Sequence, residues 1–366
     1  MKEQKSKKTV LLGMSGGVDS SVAAYLLKKQ GYKVVGVFLK LYSDTKNKLT
    51  GDCAYLEDYK MAKKVASILN IELLKLDYES KYKKEVLDPM FSSYKKGLTP
   101  NPDLSCNSLM KFPILRKEAN KRNITFIATG HYARIKKTNN KFILIRGKDK
   151  TKDQSYFLAK LSQKDLKNTL FPLGNLTKEE IRTIAKKIGF PNWNKHGSIG
   201  ICFVGQISMQ SFLKQKIKSK IGIVKSPEKD ILGTHQGIQF YTIGQKALPS
   251  LGIQIDKPKD QSDKRFYIAK KIKPNTLIVA PEGHSSLKRK AIIIKNIHLI
   301  NPNKRIPSSV KVRIRHLGQL ISGKIIKKQN KFYFTFQKPQ EAIAQGQYLV
   351  FYKGNEVLGS GEIRFK

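Results

Sequence analysis

Residues 9–20 have the sequence Thr-Val-Leu-Leu-Gly-Met-Ser-Gly-Gly-Val-Asp-Ser. The apolar run at its start predicts a buried strand, and the Gly-rich part that follows predicts a loop directly after that strand. Beyond the loop, apolar residues recur at helical spacing until Gly31, which suits the position just past a helix end. This stretch therefore predicts a strand, a loop and a helix in direct succession.

Strands that alternate with helices continue outward from this unit. Residues 33–39 and 71–76 predict strands, and residues 57–69 predict the helix between them. A short strand at 125–128 ends at Thr129-Gly130-His131. The alternation predicts a doubly wound parallel sheet of the α/β class. Ligands bind beyond the carboxyl ends of strands in such sheets, so the Gly-rich loop and Gly130 are expected to line a binding site.

Two further local patterns precede the end of this region. Residues 133–136 and 141–145 flank the turn-prone Asn139-Asn140 and predict a hairpin. Thr177 and Glu180 have the spacing of a capping box and predict a helix that runs to Gly189.

The pattern changes beyond about Gly205, where short β-rich runs are separated by turn residues. The runs are 239–243, 266–269, 276–279, 311–314, 331–336 and 347–352. They favour a barrel over an open sheet, and Pro281-Glu282-Gly283 marks a boundary within the region. We therefore expect an α/β domain over residues 1–205, a small β-rich central domain over 206–284 and a C-terminal β-barrel over 285–366.

The net charge is +44, from 71 Lys and Arg against 27 Asp and Glu. Such a charge attracts a polyanion strongly, which favours nucleic acid as the partner. An AT-rich coding sequence would produce a similar excess of Lys with many Ile and Asn, so the charge is supporting evidence only. The apolar run after the charged N-terminus is too short for a signal peptide, and no apolar stretch approaches the roughly 20 residues that span a bilayer. A cytoplasmic protein without a membrane partner is expected.

The loop over residues 15–20 lacks the Lys-Ser/Thr ending of a Walker P-loop and does not match the spaced glycines of a dinucleotide fold. Two adjacent glycines expose backbone N–H groups, the serines add hydroxyl donors, and the following helix directs its positive end at the loop. These features predict binding of an anion such as pyrophosphate. The alternative is a tight turn without a ligand.

The cysteines Cys53, Cys106 and Cys202 are odd in number and contain no C-x-x-C pair, so neither a disulfide scaffold nor a four-cysteine zinc site is supported. No resident metal site is predicted. Cys106 follows Asp103 by three residues, and Cys202 is flanked by glycines. Taken singly, each is compatible with a buried structural residue or a reactive thiol, and Cys53 has no comparable motif around it.

The segment Ser15-Gly16-Gly17-Val18-Asp19-Ser20 resembles the S-G-G-x-D-S signature of the PP-loop ATP pyrophosphatases, which cleave ATP to AMP and pyrophosphate. Further motifs, in order along the chain, resemble the tRNA 2-thiouridylase family. They are G-x-T-P-N-P-D-x-x-C-N at 97–107, A-T-G-H-Y at 128–132, K-D-Q-S-Y-F-L at 152–158 and G-I-C-F-x-G at 200–205. Two departures occur, with Ile199 in place of the usual Thr and Lys246 within the usual G-Q-R-x-G-L.

The resemblance implies 2-thiolation of a uridine at the tRNA wobble position, through adenylation of the C2 oxygen and sulfur transfer from a cysteine persulfide. The implied cofactor is ATP with Mg²⁺, and the implied partners are tRNA and a sulfur-carrier protein. Cys202 would accept the persulfide, and Cys106 would form a disulfide with Cys202 as sulfur is transferred. Asp103 would act as general acid or base.

The same resemblance implies two sets of binding residues. The residues expected to contact ATP are Gly13, Met14, Ser15, Gly16, Gly17, Val18, Asp19, Ser20, Leu39 and Gly130. The residues expected to contact tRNA are Asn101, Pro102, Asp103, His131, Lys152, Asp153, Gln154, Arg313, Ile314 and Gln347. For Lys152, a solvated surface charge is an equally good interpretation.

Two other functions stay open at this point. A different PP-loop enzyme that adenylates a small carboxylate or amide would need no RNA for exchange between ATP and pyrophosphate. A non-enzymatic basic RNA-binding protein would bind RNA in a salt-sensitive way that ATP does not affect. The paired cysteine motifs argue against both.

Overall fold

The computed structural model describes residues 8–44, 54–139, 141–195, 208–256 and 263–365, so Cys53 and Cys202 lie outside the described residues. The strands are β1 (Thr9–Gly13), β2 (Lys33–Lys40), β3 (Glu72–Asp77), β4 (Phe126–Thr129), β5 (Ala133–Thr138), β6 (Lys141–Arg146), β7 (Thr169–Leu170), β8 (Gly222–Lys225), β9 (Ile231–His235), β10 (Ile253–Ile255), β11 (Phe266–Ile272), β12 (Thr276–Pro281), β13 (Arg289–Leu299), β14 (Ser309–Arg313), β15 (Ile321–Lys328), β16 (Lys331–Gln340), β17 (Tyr348–Lys353) and β18 (Glu356–Arg364). The α-helices are α1 (Val18–Lys29), α2 (Ala54–Ile68), α3 (Glu79–Tyr82), α4 (Asp88–Lys95), α5 (Pro102–Ser105), α6 (Phe112–Lys121), α7 (Gln163–Leu166), α8 (Lys178–Ile188) and α9 (Met209–Lys214).

The N-terminal part is built on a parallel sheet in the order β3-β2-β1-β4-β7. Val10, Leu11 and Leu12 of its central strand β1 are apolar and fully buried, because helices cover both faces of a doubly wound sheet. The prediction of a doubly wound α/β sheet is confirmed. Because β1 and β4 are parallel neighbours, the loops after them meet at one edge of the sheet.

The C-terminal part contains two further sheets. The central one has the order β10-β9-β8-β12-β11. In the last one β13-β16-β15-β14-β17-β18 closes on itself, since β13 also pairs with β18, and this confirms the predicted C-terminal barrel. Phe334, Phe336 and Phe351 are fully buried in the core of the barrel.

The predicted hairpin is present as β5 and β6, and it attaches to the barrel rather than to the parallel sheet, through a bridge between Ile145 and Glu356. The predicted capping box is also confirmed, since Thr177 and Glu180 hydrogen-bond reciprocally at the start of α8. Helix α8 ends at Gly189, which has a φ of 77°.

The predicted strand over residues 239–243 is wrong. A 3₁₀ turn, Ile238–Phe240, occupies this place. Its apolar side chains Ile238 and Phe240 are buried in a core cluster shared with other elements, and the Tyr241 hydroxyl accepts a hydrogen bond from the Gln236 N–H at 3.1 Å. Alternation of apolar residues here therefore reflects a buried turn and not a pleated strand. No helix among the described residues is both long and apolar enough to cross a membrane.

Candidate active site

The Gly-rich loop connects β1 to α1 and presents a helix N-terminus. Gly17 is the N-cap residue of α1, and no side chain among the described residues caps the first-turn amides of this 12-residue helix. The Ser20 hydroxyl donates to the Gly17 carbonyl at 3.0 Å and accepts from the Ser15 N–H at 3.1 Å, which shapes the loop from within. Ser15 itself is exposed. Uncapped amides beside an exposed serine at a helix N-terminus favour an anionic ligand.

Gly16 is required by both its backbone conformation and its surroundings. Its φ is +73°, and a Cβ placed on it would lie 2.1 Å from the carbonyl oxygen of Asp58 in α2. The Asp58 carboxylate in turn binds the Lys195 ammonium at 2.6 Å. The loop is thus packed directly against the backbone of α2.

A buried asparagine holds the loop from the other side. Asn192, which is 1% exposed, donates through Nδ2 to the Gly16 carbonyl at 2.9 Å and to the Ser21 hydroxyl at 3.0 Å. It lies in the turns after α8, in the segment that continues toward Cys202. Asn192 could not be predicted from the sequence, because an isolated Asn in a turn belongs to no motif.

Asp19 is held by two donors from other elements. Its Oδ1 accepts from the Lys178 ammonium at 2.6 Å and from the Tyr132 hydroxyl at 2.6 Å. Burial, together with the negative charge of Asp19, raises the pKa of Tyr132, so the hydroxyl stays protonated and donates. Tyr132 belongs to the A-T-G-H-Y motif, whereas Lys178 had no sequence signal beyond its place at the start of α8.

The Gly-rich loop after β1 and the loop at Gly130 after β4 lie side by side, as the parallel topology predicts. A Cβ on Gly130 would lie 3.0 Å from the Ser20 backbone nitrogen, so β4 ends in close contact with the Gly-rich loop. Leu39 lies on the adjacent strand β2 and is 5% exposed. The residues predicted to contact ATP therefore lie on neighbouring strands, in the loops that follow them or in the first turn of α1, and their role in binding ATP stays a prediction.

The segment that carries Cys106 is helical and buried. Asn101 caps α5 by accepting the Leu104 N–H at 3.0 Å, and Cys106 begins a π-helical turn, Cys106–Lys111. The Cys106 side chain is part of the core and is 1% exposed. The approach of Cys106 to Cys202 stays a prediction, because Cys202 lies outside the described residues.

The barrel contacts the chain just before this helix. Asn101 Nδ2 donates to Gln347 Oε1 at 3.2 Å, and Gln347 Nε2 donates to the Pro100 carbonyl at 3.3 Å. The Thr99 N–H donates to the Gln345 carbonyl at 2.8 Å. The structure thus brings Gln347 into contact with Asn101, the residue directly before Pro102 and Asp103, although Gln347 is far from all three in sequence.

The segment over residues 152–158 joins the α/β domain to the barrel. Lys152 is exposed, whereas Asp153 is fully buried and binds Arg313 of β14, with 2.7 Å between Oδ2 and Nη1. Burial acts to raise the pKa of Asp153, but hydrogen bonds from Ser155 and the charge of Arg313 outweigh it, so the pKa lies below its usual value. Gln154 exchanges hydrogen bonds with the backbone of Tyr132, at 3.0 Å in each direction.

His131 and Ile314 are buried. His131 is 8% exposed, its Nδ1 lies 2.8 Å from the Thr129 hydroxyl, and its ring stacks on Phe112. Burial holds the pKa of His131 well below its usual value, so the ring is neutral near pH 7.

Ile314 lines a cavity of about 360 Å³, together with Gly244 of the central domain and other barrel residues. The described part of the chain contains no cluster of three or more His, Cys, Asp or Glu side chains suited to a metal ion.

Comparison with known families covers almost the whole chain. Residues 8–206 match the tRNA methyl transferase HUP domain, residues 210–281 match the tRNA methyl transferase PRC-barrel domain, and residues 289–363 match the aminomethyltransferase β-barrel domain.

Individual proteins are similar over a comparable length. The tRNA-specific 2-thiouridylase MnmA 1 of Geobacillus kaustophilus is 40% identical over 361 residues, which cover 98% of this chain and 95% of that protein. The tRNA-specific 2-thiouridylase MnmA of Malacoplasma penetrans is 39% identical over 373 residues, 98% of each chain. A solved 4-thiouridine synthetase in complex with RNA and ATP is 17% identical with a TM-score of 0.36, over 57% of this chain and 50% of that one. On the similarity to the two curated relatives, the chain belongs to the family of tRNA-specific 2-thiouridylases.

Proposed function

We propose that this chain catalyses the ATP-dependent 2-thiolation of the uridine at the wobble position of a tRNA anticodon. The observation that carries the proposal is the similarity to tRNA-specific 2-thiouridylases over 98% of the chain. The proposed domains are the catalytic PP-loop domain over residues 1–205, the central domain over 206–284 and a tRNA-binding barrel over 285–366.

The Gly-rich loop supports a site for the phosphates of ATP. Its amides lie at the uncapped N-terminus of α1, and Gly16 leaves no room for a side chain beside α2. The Lys178 ammonium neutralises Asp19 beside the loop, which reduces the repulsion that this carboxylate would exert on a triphosphate. In the proposed reaction ATP, entering with Mg²⁺, supplies the adenylate group that makes the uridine C2 oxygen a good leaving group.

Sulfur transfer follows from the chemistry of two thiols. A sulfur-carrier protein would load Cys202 with a persulfide, whose terminal sulfur attacks C2 and displaces AMP. The Cys106 thiolate then attacks Cys202 Sγ, so the S–S bond to the base breaks, a disulfide between the two cysteines forms, and 2-thiouridine is released. Asp103, one helical turn before Cys106, would take up the thiol proton. An external dithiol must afterwards reduce the disulfide.

Binding of tRNA is supported by the charge and by the domain junction. The net charge of +44 favours a polyanion. The target base must leave the anticodon stack to be reached, and Asn101 contacts Gln347 where the barrel meets the Cys106 segment.

The test uses the full chain with tRNA, ATP, Mg²⁺ and a persulfide donor, and it detects thiolated nucleosides by mass spectrometry. We expect 2-thiouridine from the unmodified protein and none from Cys202→Ser, because only a thiol at this position can carry the persulfide. Cys53→Ser is the matched control and should retain activity. Undiminished product from Cys202→Ser would contradict the assigned role, and exchange between ATP and pyrophosphate without RNA would favour an enzyme acting on a small carboxylate.

A further inference from the structure

The central domain meets both other domains at one turn, residues 241–245, which we term the junction turn. In this turn the Thr242 hydroxyl lies 3.4 Å from the hydroxyl of Thr99, which is two residues before Asn101. Thr99 also donates its N–H to the Gln345 carbonyl near the C-terminus at 2.8 Å. The three domains therefore come together beside Asn101, which is expected to contact tRNA.

Strand β11 holds the junction turn in place. The Ile268 N–H donates to the Gln245 carbonyl at 2.9 Å. The Lys271 ammonium, three residues further along the same strand, donates to the Tyr241 carbonyl at 2.7 Å. Because this carbonyl directly precedes Thr242, the ammonium lies next to the residue of the turn that contacts the α/β domain.

The Lys271 ammonium has no counter-ion among the described residues. Lys271 pairs with Leu277 of β12, which belongs to the core, and burial lowers the pKa of Lys271 to about 8. An ammonium has three N–H donors, and in the part of the chain that the structure describes only the Tyr241 carbonyl accepts one of them. The side chain is nevertheless partly exposed, so a ligand from outside can reach it. A partly buried cation with spare donors favours an anion at this place.

The groups beside the ammonium fit a phosphodiester. Thr242 is partly exposed, and its hydroxyl can donate to a phosphate oxygen. Lys and Thr side chains are ordinary partners of nucleic-acid phosphates, and such contacts fix the position of the backbone. A nucleotide whose base leaves the stack rotates about this backbone, so a fixed phosphate next to it would hold the base in register with the reacting groups.

We propose that Lys271, together with the Thr242 hydroxyl, binds a phosphate of the anticodon loop that flanks the target uridine of the tRNA. The central domain would thereby fix the backbone of the nucleotide whose base is modified. The proposal rests on the proposed function, since it takes tRNA as the ligand. It assigns to the central domain a direct contact with RNA beside the junction of the three domains.

The first experiment measures the Kd for tRNA, and its salt dependence, in Lys271→Met and in the control Lys270→Met. Lys270 is the adjacent residue of β11, is exposed, and pairs with Ile278 on the opposite face of the sheet. Lys271→Met should raise the Kd about tenfold and lower the salt slope by about one, as expected for the loss of one phosphate contact. Lys270→Met should keep the Kd within about twofold. Equal Kd values and equal salt slopes in the two variants would overturn the proposal.

The second experiment locates the phosphate. Anticodon stem-loops, each with one uncharged methylphosphonate linkage in the loop, are bound to the unmodified protein and to Lys271→Met. A linkage next to the target uridine should weaken binding to the unmodified protein about tenfold and leave binding to Lys271→Met unchanged, because the variant has already lost this contact. The same loss in both proteins at every linkage would contradict the contact. Coupling only to a linkage remote from the target uridine would contradict its assigned place.

The third experiment uses the charge of Lys271 and needs no destabilising variant. Because the free ammonium loses its proton near pH 8 and a bound phosphate favours the charged form, the Kd of the unmodified protein should rise about fivefold between pH 7 and pH 9 at constant ionic strength. Lys271→Arg stays charged over this range, so its Kd should not rise, and it serves as the second variant if Lys271→Met does not fold. An equal rise in both proteins would overturn the proposal.

Failure of the proposed function gives a different result. A protein that binds tRNA with the expected dependence on Lys271 but forms no 2-thiouridine would contradict the proposed function and retain the phosphate contact. A protein that forms 2-thiouridine but binds tRNA equally well with and without the Lys271 charge would contradict the phosphate contact alone.

Discussion

Replacement of Gly16 by alanine tests the central packing argument, with Gly31→Ala as the matched control. Both glycines have a positive φ, +73° for Gly16 and +88° for Gly31, so an added Cβ strains the backbone at either position. This strain costs about 1–2 kcal/mol. Around Gly31 no atom lies within 4 Å of the added Cβ, whereas at Gly16 the Asp58 carbonyl oxygen lies 2.1 Å away.

The difference in the free energy of unfolding between the two variants measures the cost of the steric clash with Asp58. Ordinary contact begins at about 3.4 Å, so the loop and the first half of α2 must separate by roughly 1.3 Å, and overpacking of this kind costs about 1–3 kcal/mol. We expect Gly16→Ala to lower the free energy of unfolding by about 1–3 kcal/mol more than Gly31→Ala does. The displaced loop should also raise the KM for ATP about tenfold or more, which corresponds to about 1.4 kcal/mol.

The assay combines thermal unfolding of both variants with steady-state kinetics in ATP at saturating tRNA. Gly31 is remote from the loop, so its variant should have the KM of the unmodified protein. If Gly16→Ala is no less stable than Gly31→Ala and binds ATP equally well, the inference that α2 and the loop are in obligatory close contact is wrong.

Two further predictions concern charged groups. Lys178→Met should raise the KM for ATP about tenfold, because Asp19 loses its 2.6 Å ion pair beside the loop. The control Lys148→Met removes an exposed ion pair with Glu180 and should leave the KM unchanged. An equal KM for ATP in both variants would contradict the role of Lys178. Because the folded pKa of Asp153 lies below the unfolded value of about 3.9, its stabilisation is present above about pH 4 and is lost as the pH falls through the folded pKa. Denaturant unfolding should show that the free energy of unfolding of the unmodified protein exceeds that of Asp153→Asn by a constant amount near neutrality. This difference should shrink below about pH 4. A difference that persists or grows below about pH 4 would contradict the lowered pKa of Asp153.

The parallel sheet could be predicted because β1 and β2 are each followed by a loop and then a periodic helix. The helices between β3 and β4 were harder to predict. Phe91 of α4 packs on Phe212 of the central region, and two π-helical turns, Lys83–Leu87 and Cys106–Lys111, disturb the 3.6-residue period. The turn at Ile238–Phe240 was mistaken for a strand because the alternating burial of Ile238 and Phe240 imitates the period of a strand.

Within the candidate site, local motifs located the Gly-rich loop, Gly130 and the Cys106 segment. Tertiary contacts located the rest. Asn192 and Lys178 act on the loop through side chains from the far end of the domain, and no spacing in the sequence reveals a contact over 159 residues such as that between Lys178 and Asp19. Burial of Asp153 and Arg313 could not be predicted from the sequence either. An Asp and an Arg in separate motifs are usually surface charges, and only the tertiary fold pairs them.

The barrel contacts at Gln345, Gln347 and Tyr348 determine when the N-terminal part can finish folding during synthesis. A ribosome delivers the N-terminal half first, but the backbone near Thr99 and the hydroxyl of Tyr156 find their partners only in these residues near the C-terminus. The surroundings of Cys106 can therefore be completed only after almost the last strands have been synthesised. A polypeptide released early, or one cut by a protease ahead of β17, would lack these partners of Thr99 and Tyr156.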